Sequence, residues 1–241
     1  MSIDISNRVG ITPRKRVKQL LKDREMTIGV NPQYPSSDLV EFIASNGIDL
    51  LFIDCEHGGP DVERVSDVTR AGHIAGAAVV LRPWSKDPGL LRRYLSCGID
   101  GLIVPQYEGM EETLALRKIY KELNKPESED MLLIALIESE AGYANLDEIV
   151  SSDIDAVLVG PADLAASYGL NLDDAQDQIR SMTFDIVERS SAAGKSAGAP
   201  LGRYGVEPTV NVGANLIIYF LRDILGEKLQ SEIKILMELK R

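Results

Sequence analysis

The chain has 241 residues, 44% of them hydrophobic, enough for one large domain and too apolar for a disordered chain. Lys and Arg number 26 against 37 Asp and Glu, a formal charge of −11; that excludes a general phosphate-backbone binder, whose affinity comes from clustered positive charge. No apolar run approaches the roughly 20 residues that span a bilayer, the first residues lack a signal-peptide core, and Cys55 and Cys97 are too few for a disulfide framework, so a cytoplasmic protein with no nucleic-acid or membrane partner is expected.

Short β-branched runs alternate with longer amphipathic stretches. Strands are expected at Met26–Asn31, Leu50–Cys55, Ala78–Arg82, Gly101–Pro105, Leu132–Glu138, Ala156–Gly160, Ser196–Pro200 and Asn215–Leu221. Between them SSDLVEFIASNG, PDVERVSDVTRAGHIAG, PGLLRRYLSCG, MEETLALRKIYKELN and DDAQDQIRSMTFDIVERSSAAG carry helical patterns. Gly47, Gly76, Gly98 and Gly194 stand where a left-handed residue closes a helix. Strands separated by helices imply parallel βαβ units, and eight of them favour a closed α/β (β/α)8 TIM barrel. An open doubly wound sheet is the rival, but GVNPQYP after the first strand has one glycine and no nucleotide-binding turn. Asn124–Asp130 is the one linker-like stretch, and residues 1–241 read as a single domain.

In a parallel barrel the chemistry gathers at the C-terminal ends of the strands. The second strand ends IDCEHGG; Asp54 and Glu56 share a face by the period of two, and His57 follows at the mouth. A carboxylate beside a His can tune it for acid–base work, although a His can equally just cap a strand. His73, inside a helical pattern, reads as a structural or surface residue. The third strand ends VVLRPW, so Arg82 stands at the rim, to grip a carboxylate or enolate oxygen or to pair with a helix carboxylate. Trp84 beside it could wall a pocket or simply pack.

The fifth strand, LLIALIES, delivers Glu138 to the open end after a long apolar run, and such a carboxylate calls for a partner such as a hard cation. Glu140 falls at a helix start. After the sixth strand, Gly160, Pro161 and Ala162 let backbone approach a ligand, and Asp163 follows on the loop. Glu138 and Asp163 supply two oxygen ligands, which waters and substrate oxygens would complete around Mg2+ or Mn2+; the inventory does not suit a Cys/His zinc site.

The ordered set DLLFIDCEHGG, VVLRPW, GIDGLIVPQ, LIALIESEAGYANLDEI and IDAVLVGPADLAASYG resembles the HpcH/HpaI aldolase family, from about Met26 to Gly169 and more weakly beyond. The resemblance implies a barrel of the phosphoenolpyruvate/pyruvate-binding type and a class II, divalent-metal (Mg2+, Mn2+ or Co2+) pyruvate aldolase. It implies His57 as the catalytic His and Asp54 as the acid that orients it. It further implies Arg82 as the substrate-gripping Arg, Glu138 and Asp163 as metal ligands, and Gly160, Pro161 and Ala162 as the backbone pocket for the pyruvate carboxylate. Three positions depart from the family pattern: Leu136 where a Gln is common, Ser96 where an acid is common, and no Arg- and Gly-rich loop between Gln106 and Leu132.

The expected reaction is reversible cleavage of a 4-hydroxy-2-oxo acid to pyruvate and an aldehyde. Alternatives are a decarboxylase or related lyase acting on an oxaloacetate-like acid, and a paralogue that binds a small acid without turning it over. A homo-oligomer, hexamer or trimer, is expected from the family and from the apolar stripe of ILGEKLQSEIKILMELKR; that stripe could instead cover the chain's own barrel.

Overall fold

A computed structural model describes residues 11–57, 60–123, 130–201 and 204–239. Eight parallel strands close on themselves in the order β1 to β8: Thr27–Asn31, Leu50–Asp54, Ala78–Arg82, Gly101–Val104, Leu132–Ile137, Ala156–Val159, Ser196–Pro200 and Leu216–Phe220. All eight fall within the expected runs, and closure by parallel pairing of β1 with β8 settles the barrel against the open sheet. The expected linker at 124–130 lies, except for its last residue, outside the described residues.

Alternation along each strand sorts the side chains. Leu50, Phe52, Val80, Ile103, Ile134, Leu158 and Ile218 point inward and pack as one cluster. Leu51, Ile53, Val79, Leu81, Leu133 and Val157 point outward beneath the surrounding helices. Each such side chain, taken fully out of water, contributes roughly 1.5–3 kcal/mol, which is why a strand apolar on both faces is stable only between layers.

The helices are α2 (Ser37–Ser45), α3 (Val62–Ile74), α4 (Pro88–Ser96), α5 (Met110–Glu122), the short α6 (Glu140–Ala144) and α7 (Leu146–Ser151), α8 (Pro161–Ser167), α9 (Gln176–Ala192), α10 (Val206–Asn211) and α11 (Leu221–Leu239). Several start on a side-chain cap: Ser36 accepts from Leu39 N–H, Asp61 from Arg64 N–H and Asp87 from Leu90 N–H. Asp163 belongs to the first turn of α8 rather than to a loop, because Pro161, with its fixed φ and missing donor, starts a helix immediately after β6. Among the described residues no helix is long and apolar enough to cross a membrane.

One further helix, α1 (Pro13–Asp23), was not foreseen in the basic start of the chain. Its Val17 and Leu21 join the inward-facing cluster and close the N-terminal end of the barrel. Its cations meet acids that precede alternate strands: Arg16 bonds Asp49, Lys18 lies 3.0 Å from Asp155 and Arg14 3.7 Å from Asp100. Each acid also accepts the N–H of a neighbouring strand, Asp49 from Ile28, Asp100 from Val79 and Asp155 from Leu133. Asn215 does the same for Ala197 before β8. The repeated Ile-Asp at 48–49, 99–100 and 154–155 is the sequence signature of this arrangement. His73 Nε2, 2.6 Å from Asp100, belongs to this structural end of the barrel, as its mid-helix position suggested.

Candidate active site

At the opposite end, the inward period that buries Leu50 and Phe52 brings Asp54 to the rim, in register with Arg82 of β3. The two form a bidentate pair, Nε to Oδ1 at 3.0 Å and Nη2 to Oδ2 at 2.6 Å. The guanidinium stands 5.6 Å from the Phe52 ring centre, and its Nη1 lies 3.0 Å from Glu56 Oε2. Burial works to raise the Asp54 carboxyl, but the hydrogen-bonded Arg82 charge and two backbone N–H groups outweigh it and hold the group below the usual range. Asp54 is therefore an anion that fixes the Arg82 fork.

Asp54 Oδ1 also accepts from the backbone N–H of Glu56 at 3.0 Å and of His57 at 3.3 Å, folding the strand end into a tight turn. This carboxylate touches His57 through its backbone. The ring itself is 59% exposed, with Nδ1 3.7 Å from Glu56 Oε2. Asp54, Glu56 and His57 each offer a ligand atom within 4.8 Å of the others. Asp54 Oδ1 already accepts from Arg82 and from two backbone N–H groups, while Asp54 Oδ2 and Glu56 Oε2 each also face the Arg82 guanidinium, so any cation held by this trio would compete with Arg82 for its carboxylates.

Glu138 follows β5 and is 3% exposed. Its Oε1 accepts from Gln106 N–H at 2.9 Å, and Gln106 adopts a left-handed φ of 46° at the end of β4 to present that donor. Its Oε2 is buried with no hydrogen-bond partner among the described residues, a costly state for a carboxylate oxygen. Burial pushes the Glu138 carboxyl up to about 7, the charges of Asp163 and Glu56 add to this, and Gln106 N–H and Arg82 oppose it. Burial likewise raises Glu56, with Asp54 and Asp163 among the nearby negative charges. Gly160 leaves the space this requires, since a Cβ there would lie 2.5 Å from Glu138 Oε2.

Three acids, Glu56, Glu138 and Asp163, thus share one electrostatic neighbourhood beside the Arg82 guanidinium. An orphaned oxygen among mutually repelling carboxylates fits a hard divalent cation. Leu136 packs inside the barrel beneath Glu138, so no amide is offered there. Ser96 is exposed at the end of α4 and bonds only the Arg92 carbonyl among the described residues. Trp84 is 63% exposed past β3. Asn31, 2% exposed at the end of β1, is an inward polar residue that the sequence reading passed over, although the same alternation points to it.

Residues 33–202 match the sequence profile described as HpcH/HpaI aldolase/citrate lyase. A hydroxypyruvate/pyruvate aldolase of Pseudomonas aeruginosa is 28% identical over 89% of this chain and 92% of its own length. A 2-keto-3-deoxy-L-rhamnonate aldolase of Salmonella typhi is 26% identical over 75% of this chain and 77% of its own. In fold, the chain superposes on an HpcH/HpaI aldolase/citrate lyase family protein of Burkholderia cenocepacia with TM-score 0.79, 24% identity and coverage of 94% and 100%. The citrate synthase SbnG follows at TM-score 0.77, 23% identity and coverage of 93% and 98%.

Proposed function

Because the chain belongs to the HpcH/HpaI aldolase/citrate lyase family, we propose that it is a divalent-metal aldolase that reversibly cleaves a 4-hydroxy-2-oxo acid to pyruvate and an aldehyde. The observation that carries this reading is the buried, partnerless Glu138 oxygen beside Arg82. The relatives named for pyruvate aldol reactions support pyruvate as the shared product.

Glu138 and Asp163 would hold the cation, with Glu56 facing it. A cation there supplies Lewis acidity toward the 2-oxo acid. Arg82, held rigid by Asp54, binds the keto oxygen and meets the negative charge that develops on it as the carbon–carbon bond breaks. The turn at Gly160, Pro161 and Ala162 receives the substrate carboxylate. His57, on the exposed side, takes the proton from the 4-hydroxyl; that oxygen becomes the aldehyde carbonyl, and the bonding pair passes to C3 as pyruvate enolate, which is then protonated. A screen of 4-hydroxy-2-oxo acids with coupled pyruvate detection tests the reading. Activity is expected to vanish in EDTA and return with Mg2+, Mn2+ or Co2+. Full activity in stripped protein, with a borohydride-trapped lysine, would sink it.

For Arg82→Lys we expect a loss of about 10²–10³-fold in kcat with a normal fold, because an ammonium cannot reproduce the planar fork. Retention of most activity would reduce Arg82 to a salt-bridge residue.

The working form we propose is a homo-oligomer, a hexamer or trimer, in the cytoplasm. No residue of α11 is buried, and Leu229, Ile233, Leu236 and Met237 are each more than half exposed. Ile28 on the outer face of β1 is 38% exposed as well. A 19-residue helix apolar on its free side needs a cover, and a second copy, with the same helix and the same open strand face, supplies one symmetrically. Light scattering at micromolar concentration is expected to give a multiple of the chain mass, and a stable monomer would overturn this.

A further inference from the structure

We propose that Lys86, backed by Glu112, is a positioning residue for the cation site. It holds the left-handed Gln106 so that the Gln106 N–H ties down one Glu138 oxygen and leaves the other for the ion. The inference rests on the reading of Glu138 as a cation ligand.

Gln106 stands two residues past β4 at φ 46°, a conformation that strains a residue with a Cβ and persists only where its surroundings impose it. The surroundings act on both sides. The Gln106 N–H donates to Glu138 Oε1 at 2.9 Å, and the Gln106 carbonyl accepts from Lys86 Nζ at 2.7 Å. The next residue, the buried Tyr107, donates its own N–H to the Leu136 carbonyl at 3.1 Å and pins the chain there. A return to negative φ would rotate the Gln106 N–H against its C=O, and the two outer bonds could not both be kept. With Oε1 tied, the Glu138 carboxylate cannot turn, and Oε2 is the oxygen without a hydrogen bond among the described residues.

Lys86, four residues past β3, is fixed in turn. Glu112, in the first turn of α5, meets its ammonium through Oε2 at 2.6 Å and accepts the Glu108 N–H through Oε1 at 2.8 Å. Glu108 Oε1 accepts from Ser139 Oγ at 2.8 Å, and Ser139 directly follows Glu138. The bonds therefore pass from Glu138 through Gln106, Lys86, Glu112 and Glu108 and return to the residue beside Glu138, joining the loops after β3, β4 and β5. An ion pair as exposed as Lys86–Glu112 contributes little when isolated. Here the same ammonium also grips the carbonyl of the residue that orients a candidate ligand, and partners behind a metal ligand govern affinity through its orientation.

The test uses the full chain, stripped of metal and titrated with Mn2+ by EPR of the free ion. Lys86→Met is expected to raise the Mn2+ Kd by about tenfold, Glu112→Gln by somewhat less, and Lys86→Arg, which keeps the donor, to stay within about threefold of wild type. Backbone deuterium exchange of the metal-stripped protein reads the clamp itself. The Gln106 amide is expected to exchange about tenfold faster in Lys86→Met, with the barrel strands unchanged. Wild-type Mn2+ affinity in Lys86→Met, no rescue by Lys86→Arg, or exchange that rises throughout the barrel would each overturn the proposal and reduce Lys86 to a surface ion pair. Glu138→Gln separates this from the underlying reading. If it binds Mn2+ as the wild type does, the cation reading has failed, and exchange at Gln106 alone then judges the clamp: faster in Lys86→Met upholds it, unchanged overturns it.

Discussion

His57→Ala is expected to lower aldol cleavage by about 10²–10⁴-fold, the span of a positioned base, while leaving any decarboxylation of oxaloacetate far less affected. Cleavage must take a proton from the 4-hydroxyl, whereas oxaloacetate has no such proton, and both reactions lead to the same pyruvate enolate. The geometry makes the comparison clean. The His57 ring is 59% exposed and its side chain is no part of the Asp54–Arg82 clamp, so removing it leaves the enolate-binding group in place. Both rates are read on one sample of one variant, so a modest folding defect cancels in their ratio. If the two rates fall by the same factor, His57 is not the hydroxyl base and acts on the enolate or on the shape of the site.

Glu138→Gln is expected to cost at least about 10³ in activity, since Lewis-acid stabilisation at such a site amounts to several kcal/mol. It should also make the metal-free protein more stable at pH 8. The carboxyl titrates near 7 in the folded chain against an ordinary 4.5, so the folded state binds the extra proton between those values. Stability of the metal-free protein therefore declines as pH rises from about 4.5 to 7, and above 7 the buried anion costs on the order of 3 kcal/mol. The amide keeps the shape, retains an acceptor for Gln106 N–H and carries no charge to bury. Thermal unfolding at pH 5 and pH 8, with and without Mn2+, reads all of this. The wild type should gain stability from Mn2+ chiefly at pH 8, and the variant should begin more stable there and gain little. A variant that keeps most of its activity, or that responds to Mn2+ as the wild type does, would remove Glu138 from the cation site.

What could be read without the structure follows a physical division. Most strand positions were legible because runs such as Leu50–Asp54, Ala78–Arg82 and Leu132–Ile137 are apolar on both faces up to their ends, a demand that only a covered parallel sheet makes. The same alternation sent Asp54, Arg82 and Glu138 to the open ends of their strands, since period two is a local property of the backbone. Family membership was legible for the same reason, because its motifs are those strand ends. Contacts between distant segments were not. That Asp54 clamps Arg82, that Gln106 turns left-handed to cap Glu138, and that Gly160 makes room for the second Glu138 oxygen each depend on which strands become neighbours. The plug formed by α1 was hidden because its charges look like a solvated face until Asp49, Asp100 and Asp155 are gathered at one end of the barrel. The stripe on α11 was visible as a pattern, but a helical period is the same whether it faces its own barrel or another molecule. Only the tertiary structure, in which none of its residues is buried, decided that the described residues do not cover it.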